Sequence, residues 1–277
     1  MNPYQSDIEF LLSKKHHLGA ELWMSPQGHL NKGSPFTTLQ CAMYLVELGF
    51  DSKEPILLNV SEEIFSRIQK DGRIRTSPIG TIYPCHTIIA LNTLCWLGYA
   101  HDTRLAPVID YLLQHRYQDG GWRCNKFSFG RNEETEYSNP GPTLMALDAF
   151  RQIYDESDRS QLDDAVEFLL SAWAIKKPLG PCHYGIGSRF MEVEYPFSSY
   201  NLFYYVYVLS FYKKARTHPH FHQAYLALLS QCDHEQIVVQ RVHRQMRHLK
   251  FCQHHQPSVL ATKRLNEIQR NVGNDKR

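Results

Sequence analysis

The sequence has no apolar run near the roughly 20 residues that a membrane-spanning helix requires, so no span is predicted. Its first residues, MNPYQSDIEFLLSKKHH, lack a basic start followed by an apolar stretch and a small-residue cleavage site, so no secretory leader is expected. The seven cysteines are odd in number and none pairs in a C-x-x-C knuckle; reduced thiols in a cytoplasmic protein are the expectation. Strand alternation is nearly absent. Ile237-Val238-Val239 reads as a short edge, and Met191, Val193 and Tyr195, alternating with Glu192 and Glu194, as a half-buried extended segment. There is no G-x-S-x-G, and Gly185-x-Gly187 follows no strand, which removes a nucleotide loop.

Net charge is small, +2, and decides nothing about nucleic acid, which is not an expected partner. Its distribution is uneven. Residues 241–277 hold nine Lys/Arg against Glu267 and Asp275, a net +7 that leaves −5 for the rest. A basic tail of this kind either touches an anionic surface or is a solvated helical face, the simpler reading. The expected division is therefore a domain over 1–240 and a basic helical tail over 241–277. With 43% hydrophobic and 21% charged residues, 15 Gly and 14 Pro, the composition is that of a globular chain.

What the chain does have is internal repetition. Tyr83-Pro84-Cys85-His86-Thr87 opens an apolar run that ends at Trp96-Leu97-Gly98; Ser34-Pro35-Phe36-Thr37-Thr38 opens another that ends at Glu47-Leu48-Gly49. Both the prolines and the glycines are 49 apart. Asn139-Pro140-Gly141-Pro142-Thr143 and Tyr195-Pro196-Phe197-Ser198 open the same kind of run, with Pro140 and Pro196 following at steps of 56. Between the runs, Gln69-Lys70-Asp71-Gly72-Arg73 and Gln118-Asp119-Gly120-Gly121-Trp122 lie 48 apart, and Ser25-Pro26-Gln27-Gly28 is a worn copy.

Each repeat reads as two helices. The first follows a proline, a good first-turn residue, and is apolar nearly all round, as in Leu202–Leu209; such a helix is buried on every side. The second is one-faced: Leu105, Val108, Ile109, Leu112 and Leu113 recur at helical spacing, as do Leu162, Ala165, Val166 and Leu169, with Asp102 and Ser160 placed as N-caps. The predicted helices are 5–15, 36–48, 58–69, 84–97, 103–116, 141–153, 160–172, 197–213, 219–231 and 258–270. Alternating buried and half-exposed helices fit an inner and an outer ring; an open solenoid is the other solution. Large aromatics on the inner helices favour closure, because an open concave face would leave them wet.

The Asp119-Gly120-Gly121-Trp122 turn closing an amphipathic helix, the repeat near 50 and the alternation of helices resemble the terpenoid cyclase and protein prenyltransferase superfamily. Gly180-Pro181-Cys182-His183-Tyr184-Gly185-Ile186-Gly187 and Glu194-Tyr195-Pro196-Phe197 through Tyr207-Val208-Leu209 look like bacterial proteins labelled prenyltransferase-like or squalene-cyclase-like. The resemblance spans about residues 20–235. It implies an all-α fold, an α/α toroid of about five hairpins, incomplete as a barrel, and an isoprenoid-handling enzyme. The departures are specific. Neither a D-x-D-D or D-C-T-A-E acid nor a D-D-x-x-D diphosphate motif is present, and Asp163-Asp164 falls on an outer helix. The family's zinc ligands, an Asp, a Cys and a His, have a partial match: Cys85 takes the Cys place and His86 the His place, but on one helix, with Tyr83 in place of the acid. The family's helical partner subunit is not supplied by this chain.

If the topology alternates, the connections into the inner helices share one rim. They carry Cys85 and His86, Cys124, and Cys182 and His183. Thiolate and imidazole suit zinc, so Cys85, Cys124, Cys182 and His183 form a candidate metal set, with His86 as an alternate; the simpler reading is small buried fillers and a rim histidine. His86, His183 and Glu194 are the candidate catalytic groups. Tyr200, Asn201 and Tyr204, with Phe203, Tyr205 and Tyr207 on the same run, suit an apolar chain or a carbocation, unless they simply pack. Trp122, Arg123, Tyr184 and Arg189 complete the substrate-binding candidates, Arg123, Arg189 and Lys126 as partners for diphosphate. A non-enzymatic toroid binding a lipid or protein, and a metal-dependent enzyme acting on another small molecule, are the competing functions.

Overall fold

A computed structural model describes residues 2–124 and 133–274 of the chain. It is mostly helical, as expected, and divides into two compact units, Met1–His115 and Arg116–Arg277. No helix among the described residues is long and apolar enough to cross a membrane. The two units meet in sequence at His115 and Arg116. Residues 241–274 belong to the second unit, because their apolar side chains Val242, Met246, Leu249, Phe251, Ala261, Leu265 and Ile268 are buried there.

The first unit holds α1 (Gln5–Ser13), α2 (Thr38–Glu47), α3 (Pro55–Phe65), α4 (Pro84–Leu94) and α5 (Ala106–Gln114). Thr37 caps α2 by accepting the Gln40 amide at 3.1 Å, and prolines sit in the first turns of α3, α4 and α5. α2 packs on α4, and α3 and α5 lie against α4. Burial follows the expected alternation: α4 is largely buried, whereas α5 buries only Val108 and Leu112. Asp102 caps as predicted, on a 3₁₀ turn over Thr103–Leu105 that leads into α5.

The second unit holds α6 (Pro140–Ile153), α7 (Asp163–Ile175), α8 (Ser188–Met191), α9 (Leu202–Leu209), α10 (Lys213–Arg216), α11 (Pro219–Leu229), a two-strand hairpin β1 (Cys232–Asp233) and β2 (Gln236–Ile237), and α12 (Val259–Asn274). α6 packs on α7 and α9; α9 also meets α11 and α12. Every residue of α9 is buried. Several predicted boundaries move. The helix expected at 197–213 is confined to α9, because the Asn201 side chain accepts the Tyr204 amide at 3.0 Å and starts the helix there. The helix expected from residue 160 begins at Asp163 after a 3₁₀ turn. Ser160 does not cap it, because its hydroxyl donates to the Ser157 carbonyl instead. The tail is not one helix: 241–258 is irregular with two 3₁₀ turns, and only α12 is helical.

The repeat is visible as duplicated geometry within each unit. In the first, the Gln69 amide donates to the Arg73 carbonyl at 2.8 Å; in the second, Tyr117 donates to Gly121 at 2.8 Å. Gly72 and Gly120, at φ +84 and +83, end the turns in the left-handed region that favours glycine. Each lies against the start of the next one-faced helix: a Cβ on Gly72 would overlap the Pro107 carbonyl oxygen, and one on Gly120 would overlap Asp164 and the Ala165 amide. The residue two positions on then donates its amide to a threonine three residues after the helix-opening proline. Ile74 donates to Thr87 Oγ1 and Trp122 to Thr143 Oγ1, both at 3.1 Å. The 48-residue spacing of the turn motif thus encodes one turn–helix joint, built twice.

Candidate functional site

In the second unit, the loop before α6 and the hairpin over residues 179–184 come together. Leu179 and Tyr184 exchange main-chain hydrogen bonds at 2.9 and 3.0 Å. Gly180 lies on Ser138 and Asn139, where a Cβ would stand 2.9 Å from Asn139 Nδ2. The Tyr184 ring covers Gly141, where a Cβ would collide with it. Asp119 ties the Asp-Gly-Gly-Trp turn to this loop: its carboxylate accepts the Ser138 amide at 2.7 Å and hydroxyl at 2.6 Å, and the Gly121 amide at 3.2 Å.

Asn139 occupies the N-cap position of α6, yet its side chain does not cap. Its Oδ1 accepts the Cys124 amide at 2.5 Å, and its main-chain N–H donates to the Trp122 carbonyl at 2.9 Å. With Oδ1 assigned by that bond, Nδ2 is a donor, and it is buried with no acceptor among the described residues. A second orphan adjoins the same hairpin. The Tyr184 ring meets Tyr200 edge-on at 5.9 Å, and Tyr200 contacts Phe190 at 4.7 Å and Tyr205 at 6.4 Å. Trp173 closes the group against Phe190 and Tyr205 at 6.3 and 5.9 Å. The Tyr200 hydroxyl in this aromatic cluster is buried without a hydrogen-bond partner among the described residues, and burial pushes its phenol well above the ordinary value. A buried polar group without a partner costs about 1–3 kcal/mol, so two beside one hairpin call for a physical reason.

The other sequence candidates divide clearly. Trp122 is a core residue, stacked on Phe150 at 5.6 Å. Arg123 pairs with Glu136 at 3.3 Å and lies over the Tyr117 ring. Asn201 is fully buried as the α9 cap. Tyr204 donates to Asp148 Oδ2 at 2.8 Å. Glu194 is buried, and its two oxygens accept from Ser198, from Ser199 at 2.6 Å and from Arg241. That carboxylate is a structural acceptor, which the alternation around it did not indicate. Cys182 and His183 lie at the tip of the 179–184 hairpin, Cys182 half-buried and His183 exposed; Arg189 is exposed on α8. Cys85 and His86 belong to the first unit, half-buried in the first turn of α4, where the His86 ring meets Tyr83 edge-on at 5.3 Å. Lys126 lies outside the described residues.

Among the described residues, no group of three or more His, Cys, Asp and Glu side chains is set to hold a metal ion. No step below draws on the expected zinc. Asn139 is the functional candidate that sequence reasoning missed. Its only signal was an asparagine directly before a helix-opening proline, which reads as an ordinary cap.

No protein-family model matches the chain, and no curated protein matches it in sequence.

Proposed function

We propose that the hairpins form an α/α toroid that handles an isoprenoid or a similar apolar chain with a polar head, as a transferase or cyclase. One observation carries this reading: the Tyr200 hydroxyl, in an aromatic cluster, and the Asn139 amide are buried donors beside one hairpin, without acceptors among the described residues. A ligand with acceptor oxygens at one end and an apolar body satisfies both features at once. The oxygens take the two donors, and the body lies on the faces of Tyr184, Phe190 and Tyr200. Glu194 is left out of the chemistry because its lone pairs are already engaged.

The test is a thermal-shift and direct-binding titration with farnesyl and geranylgeranyl diphosphate on wild type and Tyr200→Phe. The reading expects a rise in Tm with wild type. Loss of one hydrogen bond to a charged head weakens binding roughly ten- to a hundredfold in the variant. No shift at saturating ligand, or equal binding by both proteins, overturns it. Product analysis after incubation with the diphosphate separates turnover from binding. Metal analysis of the purified chain tests the zinc expectation separately, and well under one equivalent per chain counts against it.

A second reading, a non-enzymatic binding toroid, has its own support. Tyr204 and Tyr207 are tied into the protein's own polar network rather than left as open aromatic faces. Binding without product formation would select it.

A further inference from the structure

Neither Asn139 Nδ2 nor the Tyr200 hydroxyl reaches water. One element of the second unit lies against both neighbourhoods, the hairpin over residues 179–184. Gly180 is seated so closely that even a Cβ would stand 2.9 Å from Asn139 Nδ2 and 2.6 Å from the Ser138 carbonyl oxygen. Tyr184, at the other end of the hairpin, covers Gly141 and meets the Tyr200 ring edge-on at 5.9 Å. An acceptor oxygen therefore finds no place on this side of Nδ2 while Gly180 keeps its seat.

The hairpin is bonded chiefly to itself. Leu179 and Tyr184 exchange main-chain bonds, the His183 amide donates to the Gly180 carbonyl at 3.0 Å, and the Ile186 amide closes the base on the Lys176 carbonyl at 3.1 Å. Outward, the Gly180 amide donates to the Glu134 carbonyl at 2.8 Å. The nearby Lys177–Glu134 pair is solvent-exposed at 3.8 Å, a contact that holds little. Leu179 and Pro181 are buried and keep the hairpin seated. The chain on either side is exposed, over residues 174–178 and 187–189. Lys176 at the base and His183 at the tip have φ of +58 and +53, the left-handed region that costs a residue with a Cβ. At Gly187, on the other side of the base, even an added Cβ would meet nothing, so the backbone there has room to turn. Exposed flanks, strain at the base and self-contained bonding are the features of a segment that opens locally, ahead of the core.

Resting on the ligand reading above, we propose that this hairpin is a lid. Turning on residues 174–178 and 187–189, it lifts Gly180 off Asn139 and Tyr184 off Gly141 as one body, and so admits the acceptor end of the ligand to the two donors.

Amide hydrogen exchange of the full chain, resolved residue by residue, tests the motion without any ligand. A rigid swing breaks the Gly180–Glu134 bond and leaves the Leu179–Tyr184 pair intact. The Gly180 amide is expected to exchange at least about tenfold faster than the amides of Tyr184 and of Tyr205 on α9, with little dependence on low urea. Tyr184→Ala removes the ring over Gly141 and speeds Gly180 by roughly a further tenfold or more, while Tyr205 keeps its rate; a thermal melt confirms that the variant is folded. Saturating farnesyl diphosphate occupies the seat of Gly180, so it speeds exchange at Gly180 instead of slowing it. Exchange of Gly180 no faster than Tyr205, with the same urea dependence, overturns the lid whatever binds. So does binding of the diphosphate, seen by direct titration, with exchange at Gly180 unchanged or slower. Fast local exchange at Gly180 with no diphosphate bound at saturation supports the swing and overturns the ligand reading instead.

Discussion

The Tyr204 hydroxyl donates to Asp148 Oδ2 at 2.8 Å, joining α9 to α6 inside the second unit. Asp148 is 1% exposed, and its other oxygen accepts Arg151 Nε at 2.7 Å. Arg151 extends the network to the Tyr207 hydroxyl, which donates to Glu267 on α12 at 2.9 Å. Three helices are therefore tied by one chain of charge-assisted hydrogen bonds. Tyr204→Phe removes one of the two bonds shown to the Asp148 carboxylate and should lower stability by about 1.5–3 kcal/mol. Urea unfolding measures this, and a loss under about 0.5 kcal/mol would show that the tyrosine is only packing.

The duplicated turn makes a sharper prediction. Gly120→Ala forces a Cβ into Asp164 and the Ala165 amide at φ +83, and Gly72→Ala forces one into the Pro107 carbonyl at φ +84. Gly80 has the same kind of φ, +86, but open space around its Cβ position. Gly80→Ala should therefore cost only the backbone strain, about 1–2 kcal/mol. The other two variants add a collision with backbone atoms, which only movement of the next helix can relieve, and should lose several kcal/mol more. Comparable midpoints for all three variants would refute the joint.

How much of this was legible follows from where each partner lies in the sequence. Pro84, Pro140 and Pro219 opened their helices where the sequence placed them, because proline at the first turn acts locally. Ile237 was legible as a strand residue for the same reason. The capping role of Asn201 was open to the same local reading, because its partner, the Tyr204 amide, lies three residues on. Glu194 was beyond reach: the group that holds it, Arg241, is brought in by a bridge across 47 residues. The orphan state of Asn139 needed both Cys124 and Gly180 in place before Nδ2 had a defined neighbourhood, and no spacing rule supplies that.

Thr143→Val tests the second half of the repeat joint. Valine keeps the shape but removes the acceptor of the Trp122 amide, which is buried at the end of the turn. A buried amide left without its partner costs about 1–3 kcal/mol. Thr87→Val removes the acceptor of the Ile74 amide in the first unit and should cost a similar amount. Amide hydrogen exchange at Trp122 in the first variant and at Ile74 in the second should rise, each in its own variant only. Unchanged protection would mean that the threonines pack without accepting.

Alkaline pH should destabilise the second unit through four phenols. Burial, the largest cause in each case, raises Tyr200, Tyr205, Tyr207 and Tyr212 above the ordinary value near 10. For Tyr207 the nearby Arg151 and Arg264 oppose the shift without reversing it. The folded chain therefore holds these four protons more tightly than the unfolded chain does. Stability from this source is complete below about pH 10 and is lost as pH climbs toward the folded values. A titration of phenolate absorbance should show exposed tyrosines ionising reversibly near pH 10, with the buried ones following only in a cooperative unfolding step. Tyr200→Phe separates the effect from ordinary packing. Its hydroxyl has no partner among the described residues to lose, so stability at neutral pH should hold while the alkaline decline becomes shallower. Tyr212→Phe should lose stability at neutral pH as well, because its hydroxyl donates to the Leu147 carbonyl at 2.7 Å. If both variants decline with pH as steeply as wild type, the burial of these phenols is not what limits the folded state in alkali.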